Sequence, residues 1–126
     1  MNIKKIRFIH TKGLYKKAFY EFEEIRTFAK RKLEYNEKID CEFDQAKYRF
    51  LSHNPDEIGE SYMMIGKVFM YADQYKTTKD SFIFADTWLK DKKIQSENSF
   101  YRILNSCLEG DQSEVKRLSS NYISMY

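Results

Sequence analysis

Apolar residues recur at intervals of three and four along the chain, which is the spacing of one face of an α-helix. The first stripe predicts a helix over residues 13–35 and contains Leu14, Ala18, Phe22, Ile25, Ala29 and Leu33. The second stripe predicts a helix over residues 38–51 and contains Ile39, Phe43, Ala46, Phe50 and Leu51. No credible β-hairpin pattern interrupts them, so both segments are expected to be helical.

A proline at position 55 separates the second helix from the third. Proline restricts Asn54 to extended geometry and suits the first turn of a helix, and asparagine is a favourable N-cap. Asp56 and Glu57 then lie where the helix dipole favours negative charge. The third helix, over residues 55–72, is expected to use an apolar face made of Ile58, Tyr62, Ile65, Phe69 and Ala72.

Three further apolar stripes follow the third helix. The fourth helix is predicted over residues 75–91, on Tyr75, Thr78, Phe82, Ala85, Trp88 and Leu89. Ser96 and Ser99 form a partial start signal for a fifth helix, whose apolar residues are Phe100, Ile103, Leu104, Cys107 and Leu108. Gly110 and Asp111 end that helix and open a last amphipathic segment on Val115, Leu118, Tyr122 and Met125.

Six helices joined by short links predict an all-α fold, arranged as a short antiparallel helical-repeat array with a C-terminal capping helix. The composition agrees, because four Gly and one Pro against ten Phe and ten Tyr disfavour a strand-rich fold with many tight turns. At 126 residues the chain is the size of one domain. This single helical domain, residues 1–126, divides into a basic N-terminal helix pair at 13–51, a central unit at 55–93 and a C-terminal helix pair or cap at 96–126.

Residues 61–89 resemble a tetratricopeptide repeat. The positions that match the family pattern at the correct spacing are Tyr62, Ile65, Gly66, Phe69, Tyr75, Thr78, Phe82 and Ala85. An earlier partial match, which resembles a repeat's turn and second helix, contains Gly13, Leu14, Tyr15, Lys16, Lys17, Ala18 and Phe22. The resemblance implies paired helices that approach closely at Gly66 and Ala85, with the aromatic side chains filling the space between them.

Within that family, residues 55–93 look most like the repeats of the pheromone-responsive regulators of low-GC Gram-positive bacteria and their phages, the Rap, PlcR and Rgg-type group. The residues that carry this likeness are Asp56-Glu57-Ile58, Glu60-Ser61-Tyr62 and Gly66-Lys67-Val68-Phe69. Those regulators are several times longer, and this chain contains no recognisable helix-turn-helix. The matching residues are scaffold residues, so the resemblance implies a fold that binds a protein or peptide partner and does not identify a particular activity.

The alignment of residues 61–89 with the tetratricopeptide pattern also implies a binding face on the third helix. The residues expected on its concave side are Glu60, Met63, Lys67, Met70 and Tyr71. Methionine and tyrosine beside one lysine suit an adaptable contact with a peptide or a helix. The alternative is that Met63 and Met70 pack on a neighbouring helix.

Charge is distributed unevenly along the chain, although the net charge is only +3. Residues 1–17 contain no acidic side chain, and their basic residues are Lys4, Lys5, Arg7, Lys12, Lys16 and Lys17. This basic segment could contact phosphates, so a nucleic-acid-associated regulator is the alternative function. A solvated basic helix end would explain the same charges.

Residues that usually carry chemistry are sparse and scattered. His10 and His53 lack metal-ligand spacing, and the glycines form no phosphate-binding loop. Cys41 and Cys107 are expected to be buried thiols, with a disulfide as the alternative. We therefore expect a non-enzymatic protein without a cofactor. No apolar run approaches the length of a membrane span and no signal peptide is evident, so we expect a cytoplasmic protein. The short chain rich in Lys, Asn, Tyr and Ile also suggests a phage or another mobile element as its origin.

Overall fold

The structure, a computed structural model, describes residues 15–52 and 54–126. Across those two ranges six α-helices account for most residues and no strand occurs. Their bounds are α1 Tyr15–Lys32, α2 Glu37–Phe50, α3 Pro55–Tyr71, α4 Tyr75–Trp88, α5 Lys92–Glu109 and α6 Gln112–Met125. This confirms the predicted all-α fold class.

Consecutive helices pack against each other as antiparallel neighbours, and α3 also contacts α5. Between α1 and α2, Lys47 pairs with Glu23 at 3.1 Å and Arg26 pairs with Asp44 at 2.7 Å, so the two helices run in opposite directions. Large rings separate their backbones, because Phe22 lies between Phe43 and Phe50. The result is an array in which each helix mainly contacts the helices next to it in the sequence.

The α3–α4 interface is the most extensive in the molecule, and two glycines of α3 make it close. A Cβ atom on Gly66 would lie 2.6 Å from the Phe82 ring, and one on Gly59 would lie 2.6 Å from the Leu89 side chain. Gly66 and Ala85 both lie at this close approach, as expected, and each has its own neighbour. Gly66 accommodates Phe82, and Ala85 lies opposite Gly59, whose Cβ would be 3.2 Å from the Ala85 carbonyl oxygen.

Buried polar side chains connect each of the three successive interfaces from α2 to α5 through main-chain carbonyl groups. Ser61 donates to the carbonyl oxygen of Ala46 at 2.7 Å, and Ser81 donates to that of Tyr62 at 2.5 Å. Asn98 donates to the carbonyl oxygen of Phe82 at 3.0 Å. In each case the donor lies on the later helix and the acceptor on the one before it.

Several helix ends differ from the predicted ones. Asn54 caps α3 as predicted, accepting a hydrogen bond from the amide of Asp56, and Gly110 ends α5 at a φ of 84°. The start signal at Ser96 was wrong. Asp91 caps α5 by accepting from the amides of Lys93 and Ile94, so the helix begins four residues earlier and α4 ends at Trp88.

One further expectation is corrected by the helix arrangement. Cys41 and Cys107 are free thiols as expected, but both are exposed rather than buried, because each lies on a helix face that no described helix covers. The partial repeat match at residues 13–22 begins with Gly13 and Leu14, which lie outside the described residues, and it stays a prediction.

Candidate protein-binding cleft

A cleft of about 800 Å³ lies where the C-terminal end of α1 meets α2 and α3. Its apolar side chains include Leu33, Ile39, Met64 and Val68. Charges of both signs surround them, namely Lys32, Glu34, Lys38, Glu42, Lys67 and Asp73. We refer to this space as the α1–α3 cleft.

One stripe of side chains on α3 forms a wall of the α1–α3 cleft and extends past the cleft to Glu60. Glu60, Met64, Lys67 and Tyr71 follow each other at intervals of four, three and four, which places them on one helix face. The carboxylate of Glu60 lies 3.8 Å from the Arg49 guanidinium of α2, which in turn lies 3.6 Å from the sulfur of Met64. Tyr71 is 69% exposed.

Met63 and Met70, which the sequence placed on the binding face, are buried in the core instead, at 6% and 0% exposure. They share the helix face of Gly59 and Gly66, which packs against α4. Consecutive residues of a helix are rotated by about 100° from each other. The predicted binding face therefore contained Met63, whereas the next residue, Met64, is the one that lines the cleft. The alternative that both methionines pack on a neighbouring helix is the one that agrees with their burial.

Lys67 extends the cleft toward α5. Its ammonium group lies 4.6 Å from the centroid of the Tyr101 ring, a distance typical of a cation–π contact. Leu108 lies two helical turns further along the same side of α5 and is exposed. Lys67 therefore connects the α1–α3 cleft to the Tyr101 ring of α5.

The wall formed by α1 and α2 is held by a cluster of polar contacts. Tyr35 donates to the Asp40 carboxylate at 2.7 Å, and Arg26 lies 3.6 Å from the same carboxylate. Burial and the hydrogen bond to Asp40 raise the pKa of the Tyr35 hydroxyl, so it stays protonated and remains a donor. These contacts fix the turn between α1 and α2 that closes one end of the cleft.

The turn between α3 and α4 closes the cleft on the other side. Asp73 adopts a φ of 63°, in the left-handed region that aspartate tolerates better than most residues. Its carboxylate accepts a hydrogen bond from the Tyr75 hydroxyl at 2.9 Å. The turn thus places an acidic group at the cleft edge, close in sequence to Tyr71.

Most of the predicted basic segment lies outside the residues that the structure describes. Lys4, Lys5, Arg7 and Lys12 lie outside the described residues, as do His10 and His53. Lys16 and Lys17 belong to the first turn of α1, where only the backbone is described.

The sequence analysis did not identify Leu33, Ile39 and Met64 as cleft residues. The only available signal was the spacing of Met64 from Lys67 and Tyr71.

Within the described ranges, no group of three or more His, Cys, Asp or Glu side chains is arranged to hold a metal ion. None of the helices described is both long enough and apolar enough to cross a membrane. The α1–α3 cleft offers apolar contacts, an exposed tyrosine and charges of both signs, which are the components of a macromolecular binding surface. No protein-family model, curated protein or solved structure matches the chain.

Proposed function

We propose that the chain is a non-enzymatic interaction module, a small regulator or inhibitor that binds a protein or peptide partner through the surface around the α1–α3 cleft. The observation that carries this proposal is the cleft of about 800 Å³ bordered by Lys67 and the exposed Tyr71. Its size is within the range of pockets that bury a compact ligand or several side chains of a peptide. The tetratricopeptide-like pattern of residues 55–93 supports the same role.

The central contacts of the proposed interface are Lys67 and Tyr71. Tyrosine is enriched among residues that dominate binding energy, because its ring buries a large area and loses little conformational freedom. Lys67 is held over the Tyr101 ring, so less side-chain entropy remains to be lost when a partner binds. Charges of both signs at the rim would set orientation and association rate more than affinity.

The test compares the cleft with the basic N-terminal segment. The tagged chain is used to capture a partner, and dissociation constants are then measured for two variants at low and moderate salt. The cleft variant carries Met64→Ala, Lys67→Ala and Tyr71→Ala, and the charge variant carries Lys4→Glu, Lys5→Glu, Lys12→Glu and Lys16→Glu. We expect the cleft variant to weaken binding at least tenfold at both salt concentrations.

The opposite ranking would replace this proposal. If the charge variant abolishes binding and the cleft variant binds normally, the basic segment is the site. A titration with duplex DNA and with single-stranded RNA at both salt concentrations then tests the nucleic-acid alternative, whose affinity should fall steeply as salt rises. Tyr48→Ala is the matched control for loss of an exposed tyrosine, because Tyr48 is exposed on α2 away from the cleft.

A further inference from the structure

A small cavity of about 10 Å³ lies where α4, α5 and α6 meet. One residue of α4, three of α5 and two of α6 line it, namely Lys79, Arg102, Asn105, Ser106, Glu114 and Leu118. Five of these six side chains are polar, and none of them lines the α1–α3 cleft. We refer to this space as the α4–α6 cavity.

Asn105 brings a buried hydrogen-bond acceptor to the lining of the α4–α6 cavity. The residue is 2% exposed, and its side-chain nitrogen Nδ2 donates to the carbonyl oxygen of Tyr75 at 3.1 Å. Since a carbonyl oxygen only accepts, this contact distinguishes Nδ2 from Oδ1 in the amide. No group that the structure describes donates to the buried Oδ1 atom. Buried polar side-chain atoms are nearly always hydrogen-bonded in proteins, so we expect a small donor beside Oδ1.

The size of the α4–α6 cavity matches a single water molecule. A polar cavity needs about 10–15 Å³ to hold one water, and that water needs two to four polar partners. The cavity has about that volume, and its lining offers both donors and acceptors. A polyatomic ion or an organic ligand would be too large for it.

The charges around the cavity also favour a neutral ligand. The Glu114 side chain is 16% exposed and accepts two hydrogen bonds from Arg117. These hydrogen bonds hold the pKa of Glu114 below its ordinary value of 4.5, and the positive charges of Lys79 and Arg102 act in the same direction. The ionised Glu114 repels an anion, whereas Lys79 and Arg102 repel a cation. Water is neutral and can both donate and accept, so it suits this mixed lining.

Helix α6 depends on few contacts, which gives a bridging water a structural role. Leu118 is its buried residue, and it lines the α4–α6 cavity. Between the same two helices, the hydroxyl groups of Ser96 and Tyr122 lie 3.1 Å apart. A water beside Leu118 would add a second polar link between α5 and α6.

We propose that the α4–α6 cavity is a binding site for one water molecule that forms a permanent part of the fold. The water donates one hydrogen bond to Oδ1 of Asn105 and the other to the Glu114 carboxylate. It accepts a hydrogen bond from Lys79 or Arg102. The site thereby links the last helix to the rest of the array. This proposal does not depend on the proposed function, since it involves different residues and a different ligand.

A crystal structure of the full, unmodified chain, at a resolution that shows ordered water, tests the proposal directly. We expect a water oxygen within about 2.7–3.2 Å of Oδ1 of Asn105, the range of a hydrogen bond. An unoccupied cavity would overturn the proposal. An Asn105 amide that has turned so that Oδ1 accepts from a protein group would overturn it as well.

A second measurement applies in solution. Magnetic relaxation dispersion of the solvent oxygen nuclei counts the water molecules that stay bound for longer than the protein takes to tumble. Ser106→Val places an additional apolar group at the cavity lining, and we expect it to lower this count by one. Ser120→Val makes the same change at an exposed position of α6 and should leave the count unchanged.

Two outcomes of the solution measurement would contradict the site. The first is an equal count for Ser106→Val and the unmodified chain, and the second is an equal loss in Ser106→Val and Ser120→Val. The crystallographic measurement uses the unmodified chain and therefore does not depend on the folding of either variant.

Discussion

Individual small residues determine how closely α3 and α4 approach each other. Gly59 and Gly66 leave room for Leu89 and Phe82, and Ala85 is fully buried opposite Gly59. Because protein interiors are closely packed, an added methyl or isobutyl group at these positions must displace a neighbour. The bulk of a single side chain therefore sets the geometry of the interface that positions the α3 wall of the cleft.

Enlarging a residue in this contact should destabilise the protein. We expect Ala85→Leu to reduce the free energy of unfolding by about 1–3 kcal/mol, since the larger side chain overpacks the space beside Gly59. Gly66→Ala should also be destabilising, because its Cβ would lie 2.6 Å from the Phe82 ring. Urea denaturation measures both, with Thr87→Leu on the exposed side of α4 as the control. Unchanged stability of Ala85→Leu would contradict the close contact.

Asp56 makes stability depend on pH. The amides of Asp91 and Lys90 donate hydrogen bonds to its carboxylate, and this lowers the pKa of Asp56 below its ordinary value of 3.8. A depressed pKa in the folded state contributes stability that is present above the unfolded-state value and is lost as pH falls through the folded-state value. Removing the carboxylate should therefore matter at neutral pH and cease to matter in acid.

We expect Asp56→Asn to lower the thermal midpoint at pH 7, and the difference from the unmodified chain to shrink as the pH falls below about 3.8. Differential scanning calorimetry from pH 7 to pH 2.5 follows this change. Glu24→Gln, which removes an exposed carboxylate from α1, is the control. A difference that is constant across the pH range would show that the two amide contacts do not depend on the carboxylate charge.

At the scale of helices, the sequence predicted which segments are helical but not how each helix is rotated. The apolar period of α3 was clear, yet ten of the 17 residues of that helix are buried, so the pattern did not identify its exposed face. Met63 and Met70 were consequently assigned to the surface, and Met64 was missed. In helix α5 a buried position is polar. Asn98 is buried on the side that faces α4, and an apolar pattern cannot identify such a residue.

Buried polar donors should contribute measurably to the helix interfaces. Ser81→Ala removes the donor to the Tyr62 carbonyl oxygen, and Ser61→Ala removes the donor to that of Ala46. Each change should reduce the free energy of unfolding by about 0.5–1.5 kcal/mol, the usual net value of such a hydrogen bond. Ser120→Ala, at an exposed position of α6, should change it by less. If all three substitutions have the same effect, the interhelical hydrogen bonds do not stabilise the array.

At the scale of the whole molecule, burial is concentrated in the middle of the array. Most of α3 is buried, including Tyr62, Ile65 and Phe69, whereas Leu118 is the buried residue of α6. In an array where helices contact mainly their neighbours, local stability follows the number of neighbours and the area buried between them. The α3 wall of the cleft is therefore expected to be more stable than the α5–α6 hairpin.

Amide hydrogen exchange should show this gradient. We expect the amides of α3 and α4 to exchange most slowly, close to the rate set by global unfolding, and those of α6 to exchange faster through local opening. Leu118→Ala should accelerate exchange in α6 further and leave α3 nearly unchanged, because α6 contacts α5 and lies far along the array from α3. Mass spectrometry of peptides covering each helix measures the effect, with Ile123→Ala as a control at an exposed position of α6. Equal acceleration in α3 and α6 would mean that the helices unfold as one cooperative unit rather than as neighbours of graded stability.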